Sequence, residues 1–129
     1  MNLVFDASAI IRLIELNPNK AVNTLRNQYT IDLAYYEIGN YLWKISKLSP
    51  TINMELLIKA FNKALSLMNI ESMRDLSSDI LDLAGKADIT YYDASYVYLA
   101  MKLNAKLITE DGELMSKFPD LTMSINKLM

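Results

Sequence analysis

The chain contains no cysteine and no histidine. Without cysteine there can be no disulfide and no thiolate metal site, which fits an intracellular, cytoplasmic protein. Without histidine the commonest general base and the commonest transition-metal ligand are both missing. Any metal must then be held by oxygen, and oxygen sites favour magnesium or manganese. Long hydrophobic runs are also absent; none approaches the roughly 18 residues that would span a membrane. The start, MNLVFDAS, lacks the basic opening and apolar core of a signal peptide. A large charge of either sign is missing too. The net charge of −2 gives no overall pull on nucleic acid, so any such contact must come from local patches.

What is present suits one core. The 129 residues are expected to form a single domain, 1–129, with no repeat, linker or low-complexity stretch. Hydrophobic residues make up 52% and charged residues 22%, a folded rather than a disordered composition. The stretch around which the chain is organised is TYYDASYVYLAMKLNAKLITED, Thr90 to Asp111. It predicts a helix apolar nearly all round, and hence buried. Asn104 ends that helix in the left-handed conformation asparagine tolerates, and Ala105–Thr109 is a short buried strand. Asp93 and Asp111 bracket this unit.

Elsewhere, Asn2–Phe5 reads as a buried strand followed directly by Asp6. Ile10, Leu13 and Ile14 repeat at helical spacing within Ser8–Leu16. Asn17-Pro18 is placed to cap a second helix, to about Asn27, with Val22 and Leu25 on its buried face. Tyr29–Leu33 predicts a strand, and Ala34, Ile38, Tyr41, Leu42 and Ile45 a helical stripe ending near Leu48. Ser49-Pro50-Thr51 is a loop. Leu57, Ala60, Phe61, Ala64, Leu65 and Met68 give the clearest helix. Asn69–Met73 is a third strand. Ser77 or Ser78 would cap a helix carrying Ile80, Leu83, Ala84 and Ala87. A short helix near Glu113–Lys117 and a last strand, Leu121–Ile125, close the chain.

Short strands alternating with helices imply an α/β sandwich with a mostly parallel sheet. Ligands of such folds sit beyond the carboxyl ends of the strands. Asp6 and Asp111 follow strands, while Glu37 and Asp93 are expected in the first turns of helices on the same edge. Topology thus gathers four acids on one rim. Each has an ordinary structural role available. Asp6 can cap a helix, Glu37 can complement a helix dipole, Thr90 and Asp93 can form a capping box, and Asp111-Gly112 can be a turn. Together, with no basic partner nearby in sequence, they ask for more. Two bare carboxylates about 4 Å apart repel by roughly 4 kcal/mol at an effective dielectric near 20. A bound divalent cation is the simplest relief.

The segments VFDASAI, YYEIGNYLWK, TYYDASYVYLA and LITEDGEL, in this order and spacing, resemble the PIN domain, and specifically the VapC ribonuclease toxins of type II toxin–antitoxin pairs. The resemblance spans essentially the whole chain. It implies a three-layer α/β/α sandwich with a mostly parallel five-stranded sheet in the order 3-2-1-4-5. It also implies Mg²⁺- or Mn²⁺-dependent endonuclease cleavage of RNA. Asp6, Glu37, Asp93 and Asp111 match the family's acidic quartet, taken as the catalytic and metal-binding residues. Ser8 matches a small hydroxyl two residues past the first acid, Asn40 a polar residue one turn past the second, and Thr109 the hydroxyl of the T-x-D element. Glu110 departs from the pattern and could exchange with Asp111 as the outer ligand; Asp111 is the choice here. Partners implied are a homodimer mate and a VapB-type antitoxin that puts a basic side chain into the acidic pocket.

With no histidine, cysteine or serine triad, the residue types favour in-line attack by water, leaving 5′-phosphate and 3′-hydroxyl ends. Asp6 and Asp93 would be inner ligands for one or two ions, and Glu37 and Asp111 would complete the shell or act through water. Arg12 and Lys44 could hold flanking phosphates, or be solvated surface charges. Tyr91 and Tyr92 could stack unpaired bases, whereas Tyr96 is expected in the core or a dimer interface. Two other classes compete. A catalytically silent PIN-like protein- or RNA-binding module is disfavoured by the intact quartet. A phosphoacceptor domain is disfavoured because Ala7-Ser8 supplies no second aspartate after Asp6.

Overall fold

The computed structural model describes residues 1–129. Strand β1 (Leu3–Phe5) is its centre. All three of its residues are buried, and they alternate between two cores as the pleat requires. Leu3 and Phe5 point into the larger cluster, Val4 into the smaller. Strands β2 (Tyr29–Ile31) and β4 (Lys106–Ile108) flank β1, with β3 (Asn69–Glu71) and β5 (Thr122–Met123) outside them. All four pairings are parallel and the order is 3-2-1-4-5, as the family resemblance implied.

Helices α1 (Ala7–Leu16), α2 (Pro18–Leu25), α3 (Leu33–Leu48) and α4 (Met54–Ser66) carry the larger core, through side chains such as Ile10, Leu13, Leu25, Ile38 and Phe61. Helix α6 (Tyr91–Lys102) covers the other face with Tyr96, Val97, Leu99 and Ala100. Outside it packs α5 (Ser77–Ala87), where Ile80 and Ala84 meet Ala94. Asn104 is left-handed at φ 52°, ending α6 and turning the chain into β4. Helix α7 (Gly112–Lys117) starts at Asp111.

The structure departs from the sequence pattern at four places. Strand β2 stops at Ile31 and Leu33 already opens α3, so Glu37 lies in the second turn of that helix. In α2 the buried pair is Ala21 and Leu25, an i, i+4 pair, and Val22 is only half-buried. Neither Ser77 nor Ser78 caps α5. Leu76 takes the cap position with no side-chain bond, because a turn closed by the Leu76 N–H on the Met73 carbonyl brings its side chain against Ile80 and Ala84. The last strand is only Thr122–Met123. Ser124 then caps a short helix α8 (Ile125–Leu128), whose Ile125 is fully buried in the α1-side core. Alternation over 121–125 mimics a longer strand because half-buried Met123 packs against the same core that buries Ile125.

Candidate active site

Asp6 leaves β1 at the carboxyl edge of the sheet. Its N–H donates to the Ile108 carbonyl at 3.1 Å, so the β1–β4 ladder fixes it. The side chain is buried, and both carboxylate oxygens accept hydrogen bonds. Oδ1 accepts from Ser8 Oγ at 2.6 Å and from the Ala9 N–H at 2.9 Å. Oδ2 accepts from the Thr109 hydroxyl. The same two hydroxyls receive from the loop after β4: Ser8 Oγ accepts from the Glu110 N–H at 3.1 Å, and Thr109 Oγ1 from the Asp111 N–H at 3.0 Å. Two hydroxyls thus tie the loop that carries Asp111 to Asp6. The capping role foreseen for Asp6 holds, and it occupies only part of the carboxylate's bonding capacity.

Asp6, Glu37, Asp93 and Asp111 line one hollow of about 350 Å³, together with Ser8, Glu110 and Tyr96. Asp93 is held in the first turn of α6, where its N–H donates to Thr90 Oγ1 at 3.1 Å. Glu37 comes from α3, and its Oε1 accepts from the Tyr96 hydroxyl at 2.6 Å. Asp111 Oδ1 accepts from the Leu114 N–H at 2.9 Å and so also caps α7.

The electrostatics are those of gathered, uncompensated acids. Burial pushes the Asp6 carboxyl up to about 6, against the bonds from Ser8, Thr109 and Ala9, and Glu37 pushes it further. Asp93 is also raised, first by burial and then by Asp111 and Glu37. Burial and the Glu37 acceptor raise the Tyr96 phenol, which keeps its proton. None of the four acids forms an ion pair. The cation nearest the acid hollow among the ion pairs is Arg12, whose Nε lies 4.0 Å from Glu110 Oε1.

No family model matches the chain. The chain is 38% identical over 131 residues to Ribonuclease VapC3 of Pyrobaculum aerophilum, covering 94% of the chain and 98% of that protein. This chain belongs to the VapC family of PIN-domain proteins. A second VapC relative of the same organism, Exonuclease VapC9, is 31% identical over 112 residues, with 87% and 82% coverage. The VapC fold agrees: the crystal structure of PAE2754 from Pyrobaculum aerophilum superposes with a TM-score of 0.84 at 28% identity, over 99% of this chain and 95% of that one.

Within this VapC chain the other expected positions divide. Ser8 and Thr109 are built into the site as described. Asn40 is not in the acid hollow. It lies one turn along α3, in an adjoining hollow of about 210 Å³ that shares Glu37. Tyr91 and Tyr92 are exposed and line a third hollow further along the rim. Lys44 is an exposed side chain of α3 without an ion-pair partner. Both Glu110 and Asp111 line the acid hollow; Asp111 is the one that raises Asp93, and Glu110 is the one near Arg12. Tyr96 was expected in the core or a dimer interface; it is in the core, and its hydroxyl was missed. The signal was available, since a buried tyrosine oxygen needs a partner and Tyr96 sits three residues after Asp93 on a buried helix.

The acid oxygens suit a hard divalent cation. No group of three or more acids is drawn tightly enough to enclose one as it stands. Asp6 spends its oxygens on Ser8, Ala9 and Thr109, Glu37 one of its own on Tyr96, and Asp111 one on Leu114. The donor chemistry, oxygen from four carboxylates lining one hollow, fits such an ion.

Proposed function

We propose that this VapC chain, a single PIN domain over 1–129, is a divalent-metal-dependent endoribonuclease, the toxin of a toxin–antitoxin pair. The observation carrying this reading is the hollow where buried Asp6, bridged by Ser8 and Thr109, faces Glu37, Asp93 and Asp111 with no compensating cation. Asp6 and Asp93 would hold Mg²⁺ or Mn²⁺, with Glu37 and Asp111 around them. When bound, such an ion ionises a water and polarises the phosphate. The chain's own part is positional. Ser8 and Thr109 hold Asp6 and the loop carrying Asp111 in register, and Tyr96 orients Glu37. The acids accept the proton of the attacking water, and the low dielectric around Asp6 strengthens each contact with charge.

A VapB-type antitoxin would silence the site by placing a basic side chain among the acids, which answers the missing positive charge. A homodimer is expected through exposed apolar side chains such as Trp43, 55% exposed. No helix is long and apolar enough to cross a membrane, and the expected setting is the cytoplasm.

The deciding experiment is cleavage of a structured RNA with Mg²⁺, Mn²⁺ or EDTA, beside Asp93→Asn prepared identically. Metal-dependent cutting lost in the variant supports the reading. Equal cutting by both exposes a contaminant, and no cutting with no metal binding leaves a binding module. The relative named Exonuclease VapC9 favours one second reading, attack from an RNA end. A circular RNA separates the two, because only an endonuclease opens it.

A further inference from the structure

The rim carries a further hollow, the one lined by Tyr91 and Tyr92, that the acid chemistry leaves unused. At about 410 Å³ it is the largest in the molecule and within the range of about 300 to 1,000 Å³ common for ligand sites. It lies past the ends of β2 and β3, walled by Asp32, Ser72, Arg74, Tyr91 and Tyr92. A small hollow lies between it and the acid hollow and shares residues with each. Leu33 and Tyr92 line both this hollow and the small one, and Glu37 lines both the small one and the acid site.

Its polar side chains have unused bonding capacity. Asp32 occupies the cap position of α3, yet its carboxylate accepts no bond from that helix. Arg74 has no ion-pair partner. Tyr91 and Tyr92 are 38% and 61% exposed. Aromatic faces, a free guanidinium and a free carboxylate in one hollow match the three parts of a nucleotide. Tyrosine stacks on an unpaired base, arginine holds a phosphate, and a carboxylate accepts from the base's edge.

The carboxylate also selects the base. Its two oxygens want two adjacent donors. Guanine offers them, N1–H beside the N2 amino group. Cytosine and adenine place an acceptor beside their amino group, and uracil's N3–H lies between two carbonyls, so each repels one oxygen of Asp32. We infer that this hollow is a guanine-preferring subsite for an unpaired nucleotide of the RNA strand whose cut phosphate lies among the acids. The inference rests on the ribonuclease reading for its substrate class, but its test needs no cleavage.

The experiment is titration of the full chain in EDTA with guanosine, adenosine, cytidine and uridine 5′-monophosphates, followed by backbone amide shifts. The expected result is that guanosine monophosphate binds about tenfold more tightly than the others, equivalent to about 1.4 kcal/mol. Shifts should centre on Ser72, Arg74 and Tyr91–Tyr92. Asp32→Asn, an exposed change, should erase the preference while leaving distant amide peaks in place. Tyr92→Ala should weaken all four nucleotides together. Equal affinities in the wild type, a preference that survives Asp32→Asn, or shifts confined to the acid hollow would each overturn the inference. If guanosine monophosphate is preferred but no RNA is cut, the subsite stands and the nuclease reading falls. If RNA is cut but no nucleotide is preferred, the nuclease reading stands and the subsite falls.

Discussion

The Thr109 hydroxyl donates to Asp6 Oδ2 across 103 positions of sequence, and Thr109 Oγ1 in turn accepts from the Asp111 N–H. One buried hydroxyl therefore joins the end of β1 to the loop that presents Asp111. Thr109→Val keeps the shape of the side chain but leaves Asp6 Oδ2 and the Asp111 N–H each without a partner. The expected loss is about 1–3 kcal/mol of stability together with a fall in RNA cleavage. Thr109→Ser should retain most of both. Denaturant unfolding of the two variants checks it, and equal stability would show that the bridge contributes nothing.

Asp6 makes the metal-free protein pH-sensitive in an unusual direction. Its carboxyl is raised in the fold from an ordinary 3.8 to about 6, so the native state holds the proton more tightly than the unfolded chain. The stability this contributes is complete below about pH 4 and is lost as pH rises through 6. At about 1.4 kcal/mol per unit, the full loss is about 3 kcal/mol. In EDTA, the stability of wild type relative to Asp6→Asn should therefore fall between pH 4 and pH 7. A difference that stays flat across that range would refute it.

A divalent ion should reverse this penalty. If the ion binds the native acids alone, a hundredfold excess over Kd contributes about 2.7 kcal/mol, raising Tm by roughly 10 °C. Asp6→Asn/Asp93→Asn should show no rise with Mn²⁺. A melting temperature unmoved by saturating metal in the wild type would remove the cation from the site.

Tyr96→Phe tests the contact that sequence patterning missed. The ring stays in the core, and only the hydroxyl that donates to Glu37 Oε1 is lost. The fold should persist at a cost of about 1 kcal/mol. Cleavage should fall roughly ten- to a hundredfold, because Glu37 is no longer held in place. Unchanged initial rates would make Tyr96 a packing residue only.

Much of this architecture was legible in the residues, for physical reasons. The apolar surround of α6 and the asparagine at 104 mark a buried helix turning into a buried strand. Parallel topology carries strand ends and helix starts to one edge, which brings Asp6, Asp93 and Asp111 together, and the second turn of α3 adds Glu37 to the same hollow. The sheet order came from family likeness, since three-residue strands say little about their neighbours. What stayed hidden was decided by packing. Leu76 stands where a serine cap was expected and packs half-buried against Ile80 and Ala84, and Ile125 belongs to a helix because the α1-side core takes it. Asn40 was placed by spacing along α3, but the turn of that helix directs it to the hollow beside the acids.

The central strand is made before every strand that pairs beside it. β1 and Asp6 leave the ribosome more than a hundred residues before Thr109 and Asp111, yet β1 has its β4 neighbour and Asp6 its second hydroxyl only after those residues emerge. A chain interrupted in synthesis between Asp93 and Thr109 carries three of the acids and no closed site. The site is therefore assembled only after the whole span from Asp6 to Asp111 has been made, however early its first carboxylate emerges.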